Sequence, residues 1–321
     1  MTLLKAGVSL SLLAILYSRI DFKALGKQLA SIHVGWLVLA FALMTLNTFV
    51  SSLKWRILLR SDHIEQPLGS LFSSHLIGSF FNLFLPSTIG GDAYRIADIG
   101  QRTDNPVRTA ASILVDRITG FLALAIFGLV APFVVRDHIP NWDHRLLVFP
   151  AIALVVLCGM AFALCQGKIL RRICSWLPGK FGATCLRILD SILASVQAYV
   201  GKSSVILKVM GLSFVFQLCV ILAVWAIVGS LGLGISLWPF FFFVPLITLI
   251  EMIPISVFGI GLRDTGYLWF MKAIARPNPA ADAAAISIVY VAMTVLYVSL
   301  GGLLFIFRRR KTATPNGESN G

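Results

Sequence analysis

The sequence predicts an all-α protein, a polytopic membrane helical bundle of about six full spans plus two broken, re-entrant segments. The 321 residues are 58% hydrophobic and only 13% charged. Since a soluble domain carries about 25% charged residues, this composition excludes an ordinary soluble enzyme and a disordered chain. The apolar residues are gathered into eight runs, and a helix that crosses a bilayer needs about 20 such residues. The runs are 3–19, 34–53, 68–89, 110–135, 146–166, 206–231, 237–275 and 282–307.

The basic residues predict how these runs are oriented. Lys and Arg number 27 against 14 for Asp and Glu, and they fall between the apolar runs. This pattern is typical of loop charge that sets membrane orientation, so we expect no nucleic-acid partner. The densest basic segments are 54–60, 95–108, 168–202 and 308–311. We expect all four to be cytoplasmic, with 308–321 forming a disordered basic tail.

The first run, 3–19, is followed by no small-residue cleavage pattern, so we expect an uncleaved helix and a cytoplasmic N-terminus. Arg19, Lys23 and Lys27 then fall on the outer side, against the positive-inside rule. We interpret the stretch 21–29 as an interfacial amphipathic helix, which reduces this conflict.

The basic segments force two runs to turn back. If 206–231 leaves the cytoplasm and 282–307 returns to it, 237–275 must begin and end outside. In the first half, 146–166 must enter from outside to reach the basic segment 168–202, so 110–135 leaves from inside. With 54–60 also inside, 68–89 must begin and end inside. Both runs are interrupted by proline and glycine, which break helices. Each is therefore a re-entrant hairpin or an even number of short crossings.

The halves of the chain predict an inverted repeat. Within a single integral membrane domain over 1–307, the pseudo-repeats 1–135 and 146–307 each hold two spans, a broken segment and a closing span, in opposite orientations. Paired interrupted segments at corresponding positions point to the binding site of a transporter. The alternative is two ordinary kinks between eight plain spans.

The breaks themselves are candidate sites. A helix that resumes after a break presents free N–H groups and the positive end of its dipole, which suit an anion such as a lipid phosphate. Asp92 follows the first break and is either a helix N-cap or part of this site. The backbone positions of the breaks are Pro86, Gly90, Gly91, Pro254, Gly259 and Gly261.

Charged residues inside the apolar runs are the other candidates. Asp116 and Arg117 lie within 110–135, where an ionised group costs about 2.5–3.5 kcal/mol near the bilayer centre. Alternatively, they lie at the interface and Arg117 extends to the headgroups. We predict that Arg95, Arg117 and Arg263 contact a lipid phosphate together, because arginine binds phosphate in a bidentate manner.

Four carboxylates would support those arginines or carry a coupling proton. Glu251 stands alone among apolar residues and is a candidate proton site, unless it meets water at the tip of the turn. The other three are Asp92, Asp116 and Asp264. The sequence contains no P-loop, GxSxG or HExxH motif, so we expect no metal, no cofactor and a transporter-like rather than enzymatic role.

Three segments together resemble the lysylphosphatidylglycerol synthase transmembrane-region family, also called the flippase-like domain family. They read LPSTIGGDAYR over 85–95, ASILVDRITG over 111–120 and IPISVFGIGLRD over 253–264. The resemblance covers about 5–307. Two positions depart from the family pattern: Val257-Phe258-Gly259 stands where Pro-Gly-Gly is frequent, and Asp264 stands where Glu is usual. We identify no soluble aminoacyl-transferase domain in these 321 residues, so we expect the chain to be a stand-alone member.

The resemblance implies a translocase of the cytoplasmic (inner) membrane that handles a phosphate-bearing lipid or a lipid-linked precursor. Its partner would be an anionic or polyprenyl-type lipid. Two alternatives remain open: a membrane-embedded enzyme that transfers a glycosyl or acyl group to a lipid, and a non-catalytic partner of a lipid or glycan biosynthetic enzyme.

Overall fold

A computed structural model describes residues 25–26, 29–83, 89–140, 144–167, 171–172, 179–251 and 261–313. These residues form ten α-helices and no strand. The helices are α1 Val34–Ser61, α2 Leu68–Asn82, α3 Ile89–Thr103, α4 Pro106–Val135, α5 Val148–Gln166, α6 Gly179–Val200, α7 Ser203–Ser230, α8 Phe240–Glu251, α9 Leu262–Ala273 and α10 Pro279–Ala313. Short 3-10 turns at Arg136–His138 and His144–Leu147 join α4 to α5.

The predicted all-α polytopic membrane bundle is confirmed. The described helices α1, α4, α7 and α10 are long and apolar enough to cross a membrane, and α5 is a shorter apolar helix. Many large side chains on these helices face outward, as expected for a lipid-facing surface; Phe133 and Val155 are examples. The predicted first span lies outside the described residues, and so does most of the predicted interfacial helix at 21–29.

Both broken runs are parts of antiparallel hairpins. The second folds back within its predicted bounds, whereas the first forms only α2 and returns through α3, beyond its predicted end at 89, so that Arg95 is buried and does not lie in a loop. In hairpin A, formed by α2 and α3, the backbone of Gly78 meets that of Gly91 near the tip, while Arg102 reaches Ser70 at the open end. In hairpin B, formed by α8 and α9, the rings of Phe243 and Phe270 stack with centroids 4.3 Å apart. The helices of hairpin B have 12 residues each, about 18 Å at 1.5 Å per residue, too short to cross a bilayer core of about 30 Å.

The hairpins open towards opposite faces of the bundle. At the end of α1, the Lys202 ammonium donates to the Ser61 carbonyl, which defines a basic face where α1 ends and α7 begins. The open end of hairpin A lies at this face, because Leu71 of α2 and Ile99 of α3 are buried together with Leu59 at the end of α1. Asp98 of α3 accepts there from Arg308 of α10 (3.1 Å). At the opposite face, His33 N–H donates to the Ser230 carbonyl (2.9 Å), where α1 begins and α7 ends.

Hairpin B opens at that opposite face. Arg276, just after α9, donates to the carbonyl of Leu233, just before α8 (3.1 Å). The packing of the two hairpins is reciprocal: α2 packs on α10 and α3 on α4, whereas α8 packs on α4 and α9 on α10. In each hairpin the first helix packs on the closing span of the other half, and the second helix packs on the closing span of its own half. This pattern is expected of an inverted repeat, which stays a prediction.

Two predicted boundaries differ from the structure. The run at 34–53 continues as helix to Ser61, because Lys54, which we had assigned to a loop, is buried and neutralised by Asp116. The tail that we predicted to be disordered from 308 is helical as far as Ala313, and Arg308 in this stretch pairs with Asp98. Residues 314–321 lie outside the described part of the chain.

The basic segment after α5 contains α6, which packs on α4, α5 and α7. Leu193, Val196 and Tyr199 are buried in this contact. The Tyr199 hydroxyl donates to the Asp62 carboxylate. Burial, and then the nearby carboxylate, raises the pKa of the Tyr199 phenol, so the hydroxyl keeps its proton and the contact to the end of α1 persists.

Candidate functional site

Each hairpin carries a group of charged side chains. Cluster A lies where hairpin A meets α1 and α4, and cluster B lies at the tip of hairpin B against α10. Cluster A consists of Lys54, Asp92, Arg95, Asp116 and Arg117. Cluster B consists of Glu251, Arg263 and Asp264, with Tyr267 and Tyr290 beside them.

The carboxylates of cluster A are each shared by two cations. Asp116 Oδ1 lies 3.0 Å from Lys54 Nζ, and its Oδ2 lies 4.0 Å from Arg95 Nη2. Asp92 accepts from Arg117 Nε and Nη2 at 2.9 Å each and from Arg95 Nη1 at 3.2 Å. These ion pairs connect three helices, because Lys54 belongs to α1, Asp92 and Arg95 to α3, and Asp116 and Arg117 to α4.

Arg95 is the centre of cluster A. Its guanidinium carbon lies 4.1 Å from the ring centroid of Trp55, which in turn donates from Nε1 to Ser112 Oγ (2.9 Å). Among the described residues, Arg95 Nε and Nη2 have no hydrogen-bond partner. With three cations against two carboxylates, cluster A carries one positive charge that no described residue compensates.

The accessible part of cluster A is the Arg117–Asp92 pair. The Arg117 side chain is 34% exposed and that of Asp92 18%, whereas Arg95 is 3% exposed. A groove of about 540 Å³ follows the outer face of α3 and ends at the α3–α4 junction. It is lined by Ala93, Ile96, Ala97, Gly100, Gln101, Asp104 and Pro106. Ala93, at one end of the groove, follows Asp92 in the chain, and the groove runs from there along α3 towards the basic face; Asp92 and Arg117 are not among its lining residues.

The tip of hairpin A is closed by close backbone contact. Gly91 N–H donates to Asn82 Oδ1 (2.7 Å), so α2 satisfies a free donor in the first turn of α3. A Cβ at Gly91 would lie 2.5 Å from the Gly78 carbonyl oxygen, which explains why glycine is required. Asp92 lies in this first turn, where a carboxylate favours the helix dipole, but it binds arginines rather than capping the backbone.

Cluster B is more loosely paired. Arg263 Nε lies 3.8 Å from Glu251 Oε1, and the Arg263 guanidinium carbon lies 4.7 Å from the Tyr290 ring centroid. Asp264 Oδ2 accepts from Gly261 N–H (2.7 Å), which begins α9 with Gly261 at a φ of 88°. Two carboxylates against one arginine leave one uncompensated negative charge among the described residues.

The structure brings Arg95 and Arg117 together but places Arg263 elsewhere. Tyr290, beside Arg263, and Gly301, which packs on α2, are separated along α10 by about 16 Å at the rise of an α-helix. No ion pair or hydrogen bond joins the two clusters within the described part of the chain. The single headgroup site that we predicted for all three arginines is thus divided into two places.

Of the four predicted break positions that remain, the structure describes one. Gly90 lies in the first turn of α3, whereas Pro86, Pro254 and Gly259 lie outside the described residues. Lys54 and Trp55 are site residues that we did not predict from the sequence. Two features could have indicated Lys54: it directly follows an apolar run that can continue as helix, and the apolar run 110–135 contains a carboxylate, Asp116, that needs a cation.

Comparison with known proteins identifies the family. The family described as Lysylphosphatidylglycerol synthase TM region matches residues 2–302. A protein named UPF0104 membrane protein, from Methanothermobacter thermautotrophicus, is 24% identical over 77% of this chain and 77% of its own length. A protein named Glycosyltransferase AglD, from Haloferax volcanii, is 24% identical over 73% of this chain but only 42% of its own length. No solved structure is significantly similar to the chain.

Proposed function

Because the chain belongs to the lysylphosphatidylglycerol synthase TM region family, we propose that it moves a phosphate-bearing lipid, or a lipid-linked precursor, between the leaflets of the cytoplasmic membrane. The observation that carries the proposal is the uncompensated positive charge of cluster A. An unpaired charge inside a bilayer costs several kcal/mol, of order 2.5–3.5 on insertion scales. A lipid phosphate monoanion would neutralise it.

Arg117 is the residue that would meet the phosphate. It is the most exposed cation of cluster A, and it already holds a carboxylate in a bidentate manner, the geometry with which arginine also binds phosphate. Asp92 would release Arg117 as the phosphate arrives. Arg95, held against Trp55 and both carboxylates, would keep the local charge positive.

The groove along α3 would lead a lipid from the basic face to Arg117. Its small side chains, among them Ala97 and Gly100, leave room for an acyl chain or for the neck of a headgroup. We assign the basic face to the cytoplasm by the positive-inside rule, which puts both termini in the cytoplasm. The opposite opening of hairpin B would then serve the outer leaflet.

The test is lipid translocation by the purified full chain in vesicles that contain a fluorescent anionic phospholipid. Wild type is expected to speed transbilayer movement, and Arg117→Ala to slow it about tenfold, because a charge-assisted hydrogen bond contributes about 1.5–3 kcal/mol. Arg136→Ala is the matched control, because this arginine is exposed beyond α4 on the opposite face. Wild type that moves neither anionic phospholipids nor polyprenyl phosphates would contradict the proposal.

The name of the Haloferax relative favours a second candidate, a role in transferring a glycosyl group to a lipid. The aligned part covers 42% of that protein, so its activity does not follow for this chain. Either the chain would itself use Asp92, Asp116, Asp264 or Glu251 as acid or base, or it would present a lipid-linked sugar to a partner enzyme. A mass change in a polyprenyl phosphate on adding a nucleotide sugar to the purified chain would establish the enzyme. A stable complex without activity alone would establish the partner.

A further inference from the structure

Hairpin B contains a carboxylate that the proposed lipid site does not use. Glu251 is the last described residue of α8, and its side chain is 24% exposed. Its nearest cation, Arg263, lies at 3.8 Å, and Glu251 Oε1 has no hydrogen-bond partner among the described residues. The Arg263 Nε and Nη2 atoms likewise have none within that part of the chain. The two groups are thus close enough to attract but not hydrogen-bonded to each other.

The neighbours of Glu251 leave its charge incompletely balanced. From α9, Arg263 and Asp264 face Glu251 with opposite charges. The two phenols beside it, Tyr267 on α9 and Tyr290 on α10, are neutral. Helices α4, α5 and α7 also pack on α8 but contribute no titratable group to its surroundings among the described residues. Asp264 Oδ2 already accepts from the Gly261 N–H, whereas Glu251 Oε1 accepts no hydrogen bond among the described residues.

A proton fits this place better than a metal ion. A metal cation requires several oxygen ligands, whereas the described residues offer Glu251 and Asp264, of which Asp264 already accepts from the Gly261 N–H, and a guanidinium lies beside them. A proton needs only the carboxylate oxygen. Binding converts the Glu251 carboxylate into a carboxylic acid, forms one O–H bond and removes the excess negative charge of cluster B.

We propose that Glu251, at the tip of hairpin B, is a proton-binding site. The structure separates it from the other candidate carboxylates: Asp92 and Asp116 are each shared by two cations, and Asp264 holds the start of α9. Arg263, released from the ion pair, keeps its contact with the Tyr290 ring.

The proton site also suggests how lipid movement is driven, an extension that rests on the proposed function. Cluster A lacks one negative charge and cluster B one positive charge, so one phosphate monoanion and one proton would neutralise both. The two hairpins contact the same helices, α4 and α10, which gives a route for coupling. A proton gradient would then change the rate of lipid movement.

The site is tested by infrared difference spectroscopy of the full chain in vesicles between about pH 6 and pH 8, above the range in which exposed carboxylates titrate, about pH 4. Wild type is expected to show a carboxylic-acid carbonyl band that Glu251→Gln abolishes. Glu251→Asp should keep a shifted band, which excludes misfolding as the cause of the loss. Glu65→Gln is the matched control, because Glu65 is exposed in the α1–α2 loop. A band that is absent in wild type, or unchanged in Glu251→Gln, would overturn the proton site.

The coupling is tested in the same vesicles with a proton gradient. Wild type is expected to change its rate of lipid movement by about fivefold or more, within the usual range of coupling between sites, and Glu251→Gln to lose this response. A rate of lipid movement that does not change with the proton gradient would overturn the coupling. It would not affect the proton site, which the infrared experiment tests. Absence of any lipid movement would instead overturn the proposed function.

Discussion

Hairpins A and B each present a buried arginine to an aromatic ring, Arg95 to Trp55 and Arg263 to Tyr290. In hairpin A the arginine belongs to a network that crosses three helices at distances down to 2.9 Å. In hairpin B it has one carboxylate at 3.8 Å. The first network holds the helices together and lacks an anion, whereas the second leaves a carboxylate available. The same backbone design can therefore serve opposite charges.

The largest expected difference concerns the carboxylates. Asp116→Asn leaves Lys54 and Arg95 buried without their shared counter-charge, and breaking a buried ion pair in this way lowers the free energy of unfolding by about 3–5 kcal/mol. Glu251→Gln should change it by less than about 1 kcal/mol, because that pair has no hydrogen bond. Denaturant unfolding in detergent measures both. Equal losses would mean that the two clusters do not differ as the distances indicate.

Each hairpin has a glycine at the contact between its two helices, Gly91 in hairpin A and Gly266 in hairpin B, and the two glycines face different kinds of atoms. Gly91→Ala puts a Cβ against the Gly78 carbonyl and the Asn82 amide, a backbone contact that cannot yield. We expect it to cost about 2–3 kcal/mol of unfolding free energy. Gly266→Ala meets only side-chain atoms, with Ile247 Cγ1 at 2.8 Å, and these can shift by a few tenths of an ångström, so the cost should be smaller, about 1 kcal/mol. Thermal unfolding midpoints compare the two, and the reverse order would refute the reasoning.

The aromatic partners provide a smaller comparison. Trp55→Phe removes the hydrogen bond to Ser112 and weakens the contact with Arg95, which we expect to cost about 1–2 kcal/mol of unfolding free energy. Tyr290→Phe keeps a ring beside Arg263 and should cost about 0.5 kcal/mol. A loss for Tyr290→Phe as large as that for Trp55→Phe, in the same unfolding assay, would show that Arg263 depends on the tyrosine hydroxyl.

The smallest effect is expected from exchanging arginine for lysine. Arg117→Lys keeps the charge but loses the bidentate geometry, so lipid movement in vesicles should slow by about fivefold, equivalent to about 1 kcal/mol. Arg263→Lys should slow it by no more than about twofold, because Arg263 has no bidentate partner among the described residues. A larger effect at Arg263 would assign the phosphate to hairpin B.

The sequence predicted the hairpins well because their causes are local. Proline and glycine mark the breaks, and the positions of Lys and Arg decide which faces the flanking helices reach. It also pointed to Asp92, directly after a break, and to Arg117, a charge inside an apolar run, because both features can be read without a structure. It could not predict the partners, and so it joined Arg263 to Arg95 and Arg117 and treated Lys54 as part of a loop.

By itself, the sequence determined that this protein is an all-α membrane bundle with two interrupted segments, because apolar run length and composition require it. Its three motif segments indicated the family, which the family match confirms. Only the tertiary structure decided that Lys54 meets Asp116 and that Arg263 lies apart from Arg95. Which charges meet depends on the depth and rotation of each helix in the bundle. Those are set by packing between segments far apart in the chain, such as α2 against α10 and α8 against α4.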